Sequence, residues 1–124
     1  MKTLLSLLFV FVFVSSQVLL AQNSVVERHE SVGDIEFKEA LKTEEYILLD
    51  VRTVEEYLLN NLERSKLVEF NGGNMDGTLS SMPKGHKYLV YSNEGVRSKV
   101  ALKRMKELGF SHVLELDKGI KEWK

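Results

Sequence analysis

The chain has 124 residues, 44% of them apolar and 28% charged, and a formal net charge of −1 at pH 7. That length suits one domain rather than two, and the near-neutral charge lacks the basic excess typical of nucleic-acid binding. The absence of cysteine excludes disulfides and thiolate metal sites, and His29, His86 and His112 are too widely spaced for a helical ligand pair, so neither a metal nor another cofactor is expected.

The first stretch, "MKTLLSLLFVFVFVSSQVLLAQNS", has one early cation, Lys2, then an apolar core from Leu4 to Val14 and short residues after it. This is the pattern of a secretory signal peptide over residues 1–21, cleaved after Ser16 or Ala21. It implies a periplasmic or secreted protein with no membrane attachment after cleavage. The rival is a membrane anchor over residues 4–21. That segment is at the short end for a span, and Ser15, Ser16 and Gln17 interrupt it, which favours cleavage. Residues 22–30 are polar and read as a linker, leaving residues 31–124 as the domain.

Within the domain, elements of helical and strand character alternate. "GDIEFKEAL" places Ile35, Phe37, Ala40 and Leu41 near helical spacing, with Asp34 as the expected N-cap. "EYILLDV" is an apolar run of strand length, as for a strand buried on both faces. "TVEEYLLNNL" is helical again, and Thr53 with Glu56 matches a capping box. "KLVEF" is a short strand. "NGGNMDG", residues 71–77, is a loop by composition, and its oxygens lack the spacing of a calcium loop. "TLSSM" is at most a helical turn before Pro83. "KYLVYS" is a buried strand and "RSKVALKRMKEL" the clearest helix, with Ala101, Met105 and Leu108 on one face. "HVLEL" is a last strand and "GIKEW" a last short helix, whose Trp123 is expected to close the core. Lys99, Lys103 and Lys106 form a solvated face, with an anionic partner as the rival reading. The alternation predicts a small single α/β domain with a central, mainly parallel sheet flanked by helices.

In such sheets, sites form where strands end and helices begin. Two stretches meet that rule: "LLDVRT", with Asp50 and Arg52, and the six-residue loop Ser92–Arg97 between "HKYLVY" and the clearest helix. A tight strand-to-helix loop turns N–H groups toward one spot, which suits an anion. The candidate loop is Ser92, Asn93, Glu94, Gly95, Val96 and Arg97, with Ser98 next to it. Gly95 lets the loop curl, and Arg97 adds positive potential.

The markers "LLDVRTVEEY", "YLVYSNEGVRS", "ALKRMKELGF" and "GIKEW", in this order and spacing, resemble the rhodanese-like family of sulfurtransferase domains over about residues 31–124. The resemblance implies a small α/β fold and a loop of the pattern Cys-x-x-Gly-x-Arg-Ser, whose cysteine carries sulfane sulfur as a persulfide. Gly95, Arg97 and Ser98 match that pattern, and Ser92 stands at the cysteine position. Asp50 and Arg52 match the family's Asp-x-Arg pair, which supports the loop. The six-residue loop has the length of sulfur-handling members, whereas related phosphatases use seven. The chain departs from the family in "NNL" at 60–62 for Gly-His-Ile, in Lys118-Gly119 for Gly-Gly, and in Glu94 within the loop.

A cradle of N–H groups readily lowers the pKa of a thiol, about 8.5 when free, to give a nucleophilic thiolate, whereas a serine hydroxyl needs an adjacent general base. Glu94 and Asp50 are the only nearby candidates, and no spacing supports either. A persulfide also needs a sulfur to build on. The expectation is therefore no catalytic residue at the site, and a binding or adaptor module for a protein or a small anion. The alternatives are an enzyme that uses Ser92 or the loop for anion or ester chemistry, and a variant of an active sulfurtransferase.

Overall fold

The computed structural model describes residues 25–71 and 73–124; the expected leader, residues 1–21, lies outside them. Among the described residues nine elements follow in chain order: strand β1 (Arg28–Val32), helix α1 (Asp34–Lys42), β2 (Tyr46–Asp50), α2 (Val54–Leu59), β3 (Lys66–Leu67), α3 (Asn74–Ser80), β4 (Lys87–Tyr91), α4 (Val96–Glu107) and β5 (His112–Leu116). The strands form one parallel sheet in the order β1-β5-β4-β2-β3. No helix among the described residues is long and apolar enough to cross a membrane.

Successive strand residues point to opposite faces, and the two faces build two cores. Leu49, Tyr88, Val90 and Val113 pack with Met75 and Leu79 of α3 and Ala101 and Met105 of α4. Leu48, Leu89, Tyr91, Leu114 and Leu116 pack with Phe37 and Ala40 of α1. Trp123 meets the second core edge-on, its ring 5.9 Å from that of Phe37, so it seals the core's rim rather than filling its centre.

Several local expectations are corrected. Residues 28–30, read as linker, begin β1, which pairs with β5 along its whole length. Its polar "RHESV" escapes a hydrophobic pattern because it lies at the sheet edge, where the side chains find polar partners instead: Arg28 holds Glu30 and Glu36, and His29 Nε2 meets the Phe110 carbonyl. Helix α1 is capped by Gly33 without a side-chain bond, and Asp34 is its first residue. Ile35 is exposed, because the buried stripe runs Phe37, Ala40 and Leu41 and Ile35 lies across the helix from it. Residues 74–77, read as loop, begin α3, whose Met75 and Leu79 are buried one turn apart. The "GIKEW" stretch forms turns, not a helix; its Trp123 N–H bonds the Ile120 carbonyl.

The topology marks one place on the sheet. From β2 the chain crosses to β3 on one side; from β4 it crosses to β5 on the other. Neighbouring strands whose connections diverge leave a crevice at their carboxyl ends. That point lies between Asp50 and Tyr91, which are paired in register.

Candidate functional site

Asp50, at the end of β2, is fully buried. Its carboxylate accepts from the Arg52 amide (3.0 Å), from the Arg52 guanidinium (2.8 to 3.1 Å) and from the Tyr91 hydroxyl (2.7 Å). A buried charge is tolerated only when it is paired and hydrogen-bonded. Arg52 is also buried and donates two further N–H groups to the side chain and carbonyl of Asn60 (3.1 and 2.5 Å). Burial works against the Arg52 charge, but the bonds and charge of Asp50 outweigh it and hold the pKa up. Burial pushes the Tyr91 phenol up to about 12, and the Asp50 carboxylate adds to this. Asp50 and Arg52 therefore form a buried brace beneath the loop, and "NNL" has a definite part in it. Asn60 closes the brace, and Leu62 donates its N–H to Tyr91 (3.1 Å).

The loop leaves β4 at Ser92 and enters α4 through Gly95, whose φ of +85° lies in the left-handed region. A Cβ there would overlap the Asp117 carbonyl. The residues after β5 hold the loop from the other side. Ile120 N–H bonds the Ser92 carbonyl (3.1 Å), and Lys121 N–H bonds that of Asn93 (3.0 Å). Gly119, at φ +70°, lies so close to Asn93 that a Cβ would overlap its carbonyl, whereas Lys118 is exposed. Of the family's glycine pair, the chain keeps the one that the packing needs.

Ser92 is fully buried. Its Oγ accepts from the N–H groups of Gly95 and Ser98 (both 3.2 Å) and donates to Ser98 Oγ (3.1 Å). Ser98 Oγ in turn donates to Glu115 Oε2 at 2.6 Å. Glu115 is fully buried in β5, with Ser31 of β1 bonded to its other oxygen and Lys99 Nζ 3.2 Å from it. Burial pushes its carboxyl above the ordinary range, against the opposing effect of Ser98 and Lys99. The carboxylate that reaches Ser92 is therefore neither Glu94 nor Asp50 but Glu115, through Ser98. Sequence reasoning missed it, although a lone acid in the apolar "HVLEL" was the signal: a charge in a doubly covered strand must have partners.

In front of Ser92 lies an open cavity of about 240 Å³ lined by Ser92, Asn93, Glu94, Val96 and Arg97. The N–H groups of Val96 and Arg97 open helix α4 and have no acceptor among the described residues. The Glu94 side chain is exposed and pairs with Lys121 (3.1 Å). Arg97 is already engaged: its guanidinium meets Glu56 of α2 through two bonds of 2.5 and 2.8 Å. That contact holds the Glu56 carboxyl at about 2, with help from Thr53. Glu56 was legible as a capping-box residue, and the box is present; its hold on Arg97 was not. Lys99 is tied to Glu115 and Asp117, while Lys103 and Lys106 stand in solvent. Among the described residues no three His, Asp or Glu side chains gather around a metal position.

A family model described as "Rhodanese-like domain" matches residues 35–124. A curated relative from Mycobacterium tuberculosis, the probable adenylyltransferase/sulfurtransferase MoeZ, is 32% identical over 76 residues, which is 61% of this chain and 19% of that protein. The chain thus spans about a fifth of that relative's length. Among solved structures, a rhodanese-like domain protein from Staphylococcus aureus superposes with a TM-score of 0.67 at 24% identity, over 77% of this chain and 91% of the other. The human single-domain sulfurtransferase TSTD1 superposes with a TM-score of 0.61 at 16% identity, over 75% and 93%. At these identities the two structures speak for the fold alone.

Proposed function

The chain belongs to the rhodanese-like family, and we propose that within it this protein is an exported, non-catalytic module that holds a small anion in the Ser92–Arg97 loop. The observation that carries the reading is Ser92 itself. At the position of the persulfide-forming cysteine stands a buried hydroxyl, locked by two amide donors and by Ser98. The sulfurtransferase activity in the name of the MoeZ relative would need a sulfur nucleophile, and the sequence contains no cysteine. What is left of the cradle is a cavity with two amide donors at a helix start and a guanidinium at its edge, a setting that favours anions. Arg97 is shared with Glu56, so the affinity is weak. Export rests on Lys2 and the apolar core Leu4–Val14.

The test uses the mature chain, residues 22–124. With thiosulfate and cyanide it should yield no thiocyanate above a protein-free control. Millimolar sulfate or thiosulfate should shift the amide resonances of Gly95, Val96 and Arg97. Sulfur turnover would overturn the non-catalytic reading. Unmoved amides would overturn the anion reading and leave a protein adaptor.

The Ser92–Ser98–Glu115 chain favours a second reading, because its polarity is that of a nucleophile relay to a base. Its obstacle is that Ser92 has no exposed surface. Release of nitrophenol from p-nitrophenyl acetate, abolished by Ser92→Ala, would establish it.

A further inference from the structure

The buried hydroxyl chain behind the loop ends on a titratable group, Glu115. Ser92 donates to Ser98, and Ser98 donates to Glu115. While Glu115 is a carboxylate, it accepts only, and both serine hydroxyls must point toward it. Ser92 Oγ also accepts two amide N–H groups. Its lone pairs and its proton are then all committed inward, and it offers the cavity nothing. One buried negative charge also stands behind the place where an anion would bind.

We propose that the loop takes up its anion together with a proton, which is bound at Glu115. Protonated, Glu115 becomes a donor and can give its O–H to Ser98. The anion itself stays with the N–H groups of Val96 and Arg97 at the helix start, because Ser92 has no exposed surface. The negative charge behind the loop disappears in the same step. The proposal rests on the anion-binding reading above.

The surroundings of Glu115 leave it as the group that titrates. In the sheet it lies between Val90 of β4 and Ser31 of β1. Lys99 of α4 faces it, and Asp117 of the following turn pairs with the same lysine. Lys99 is held charged, burial being outweighed by its bonds to Asp117 and Glu115, and Asp117 is held ionised by Lys99. Across the loop, Glu56 is held ionised by Arg97. Burial raises Glu115 alone of these carboxyls, so its proton exchanges above the ordinary carboxylate range. Binding linkage is reciprocal: if protonation strengthens anion binding, the anion must raise the proton affinity of Glu115 by the same factor.

Sulfate is the probe, because it stays a dianion throughout that range. Its affinity should rise at least about fivefold from neutral pH to the acid side of the Glu115 titration, read from the amide shifts of Gly95 and Val96. In Glu115→Gln the affinity should be flat with pH and match the acid value of the unaltered protein. Glu94→Gln should keep the pH dependence, since Glu94 also lines the cavity. In the unaltered protein, the carbon resonance of the Glu115 carboxyl should titrate at higher pH with sulfate than without it; this needs no variant to fold. Sulfate binding that is flat with pH in the unaltered protein would overturn the coupling and leave the anion reading intact. A pH dependence that persists in Glu115→Gln, or a Glu115 midpoint that sulfate does not move, would overturn it as well. No sulfate binding at any pH would sink both.

Discussion

Glu56 and Arg97, 41 residues apart in sequence, are joined by two bonds, and the same carboxylate accepts from Thr53 at the start of α2. One side chain thus caps a helix and occupies the cation of the loop. Glu56→Gln should loosen the second role and spare the first, because a glutamine still completes a capping box. The expected result is tighter sulfate binding, by several-fold, with a loss of stability of about 1 kcal/mol. Titration with sulfate and thermal unfolding check the two halves.

Stability should depend on pH with two opposite slopes. Glu56 is depressed to about 2 in the folded chain, so its contribution is complete above the unfolded value of 4.5 and is lost as pH falls toward 2. Glu115 is raised, so the folded state binds its proton more tightly than the unfolded chain does, and stability grows as pH falls through its titration. Denaturant midpoints measured from neutral to acid pH should first rise and then drop. Glu115→Gln should remove the rise, and Glu56→Gln should reduce the drop.

The brace beneath the loop should tolerate no loss of a partner. Arg52→Ala leaves Asp50 buried and unpaired, and should cost about 3–5 kcal/mol. Lys42→Ala, whose pair with Glu39 stands in solvent, should cost less than about 0.5 kcal/mol. A similar cost for both in urea unfolding would remove the brace from the account.

A thiol placed in the loop should be acidic. In Ser92→Cys the sulfur takes over the N–H groups of Gly95 and Ser98, which favour the thiolate. Its pKa should fall below the free value of about 8.5. Adding Glu94→Gln should lower it only slightly further, because the Glu94 carboxylate is exposed and already paired with Lys121. Thiolate absorbance against pH measures both. A value at or above that of a free thiol would mean that the amides do not converge on this position.

Gly119→Ala should destabilise the chain by about 2 kcal/mol or more, because it combines a left-handed backbone with an overlap on the Asn93 carbonyl. Lys118→Gly should be nearly neutral. Equal melting temperatures for the two variants would contradict the packing described for this turn.

What the sequence disclosed depended on how local the signal was. Strands β2, β4 and β5 are apolar runs, α4 repeats Ala101, Met105 and Leu108 on its core face, with Leu108 partly buried as the C-cap, and the Thr53–Glu56 box is four residues long; all were legible, whereas the burial of Ser98 on the same helix was not. Strand β1 was not, because an edge strand is satisfied by polar contacts. Helix α3 hides in a glycine- and asparagine-rich stretch, and only Met75 and Leu79 betray it. The loop itself could be read from Gly95, Arg97 and Ser98. Glu56 and Glu115, the two acids tied to it, stand out locally as a capping-box residue and as a lone acid in an apolar strand, but their partners Arg97 and Ser98 meet them only once the sheet has closed.

Trp123 is the chain's single tryptophan. It sits on the segment whose Ile120 and Lys121 amides hold the loop, with Phe37 edge-on and Lys38 Nζ 4.6 Å over its ring. Tryptophan emission, excited where the four tyrosines do not absorb, therefore reports on the docking of this tail and not on the interior of the sheet. Heating or denaturant followed by emission should show the tail lifting first, and circular dichroism at the helix band should show the sheet and helices yielding later. The gap between the two curves is a direct optical measure of how independently the loop's clamp can open.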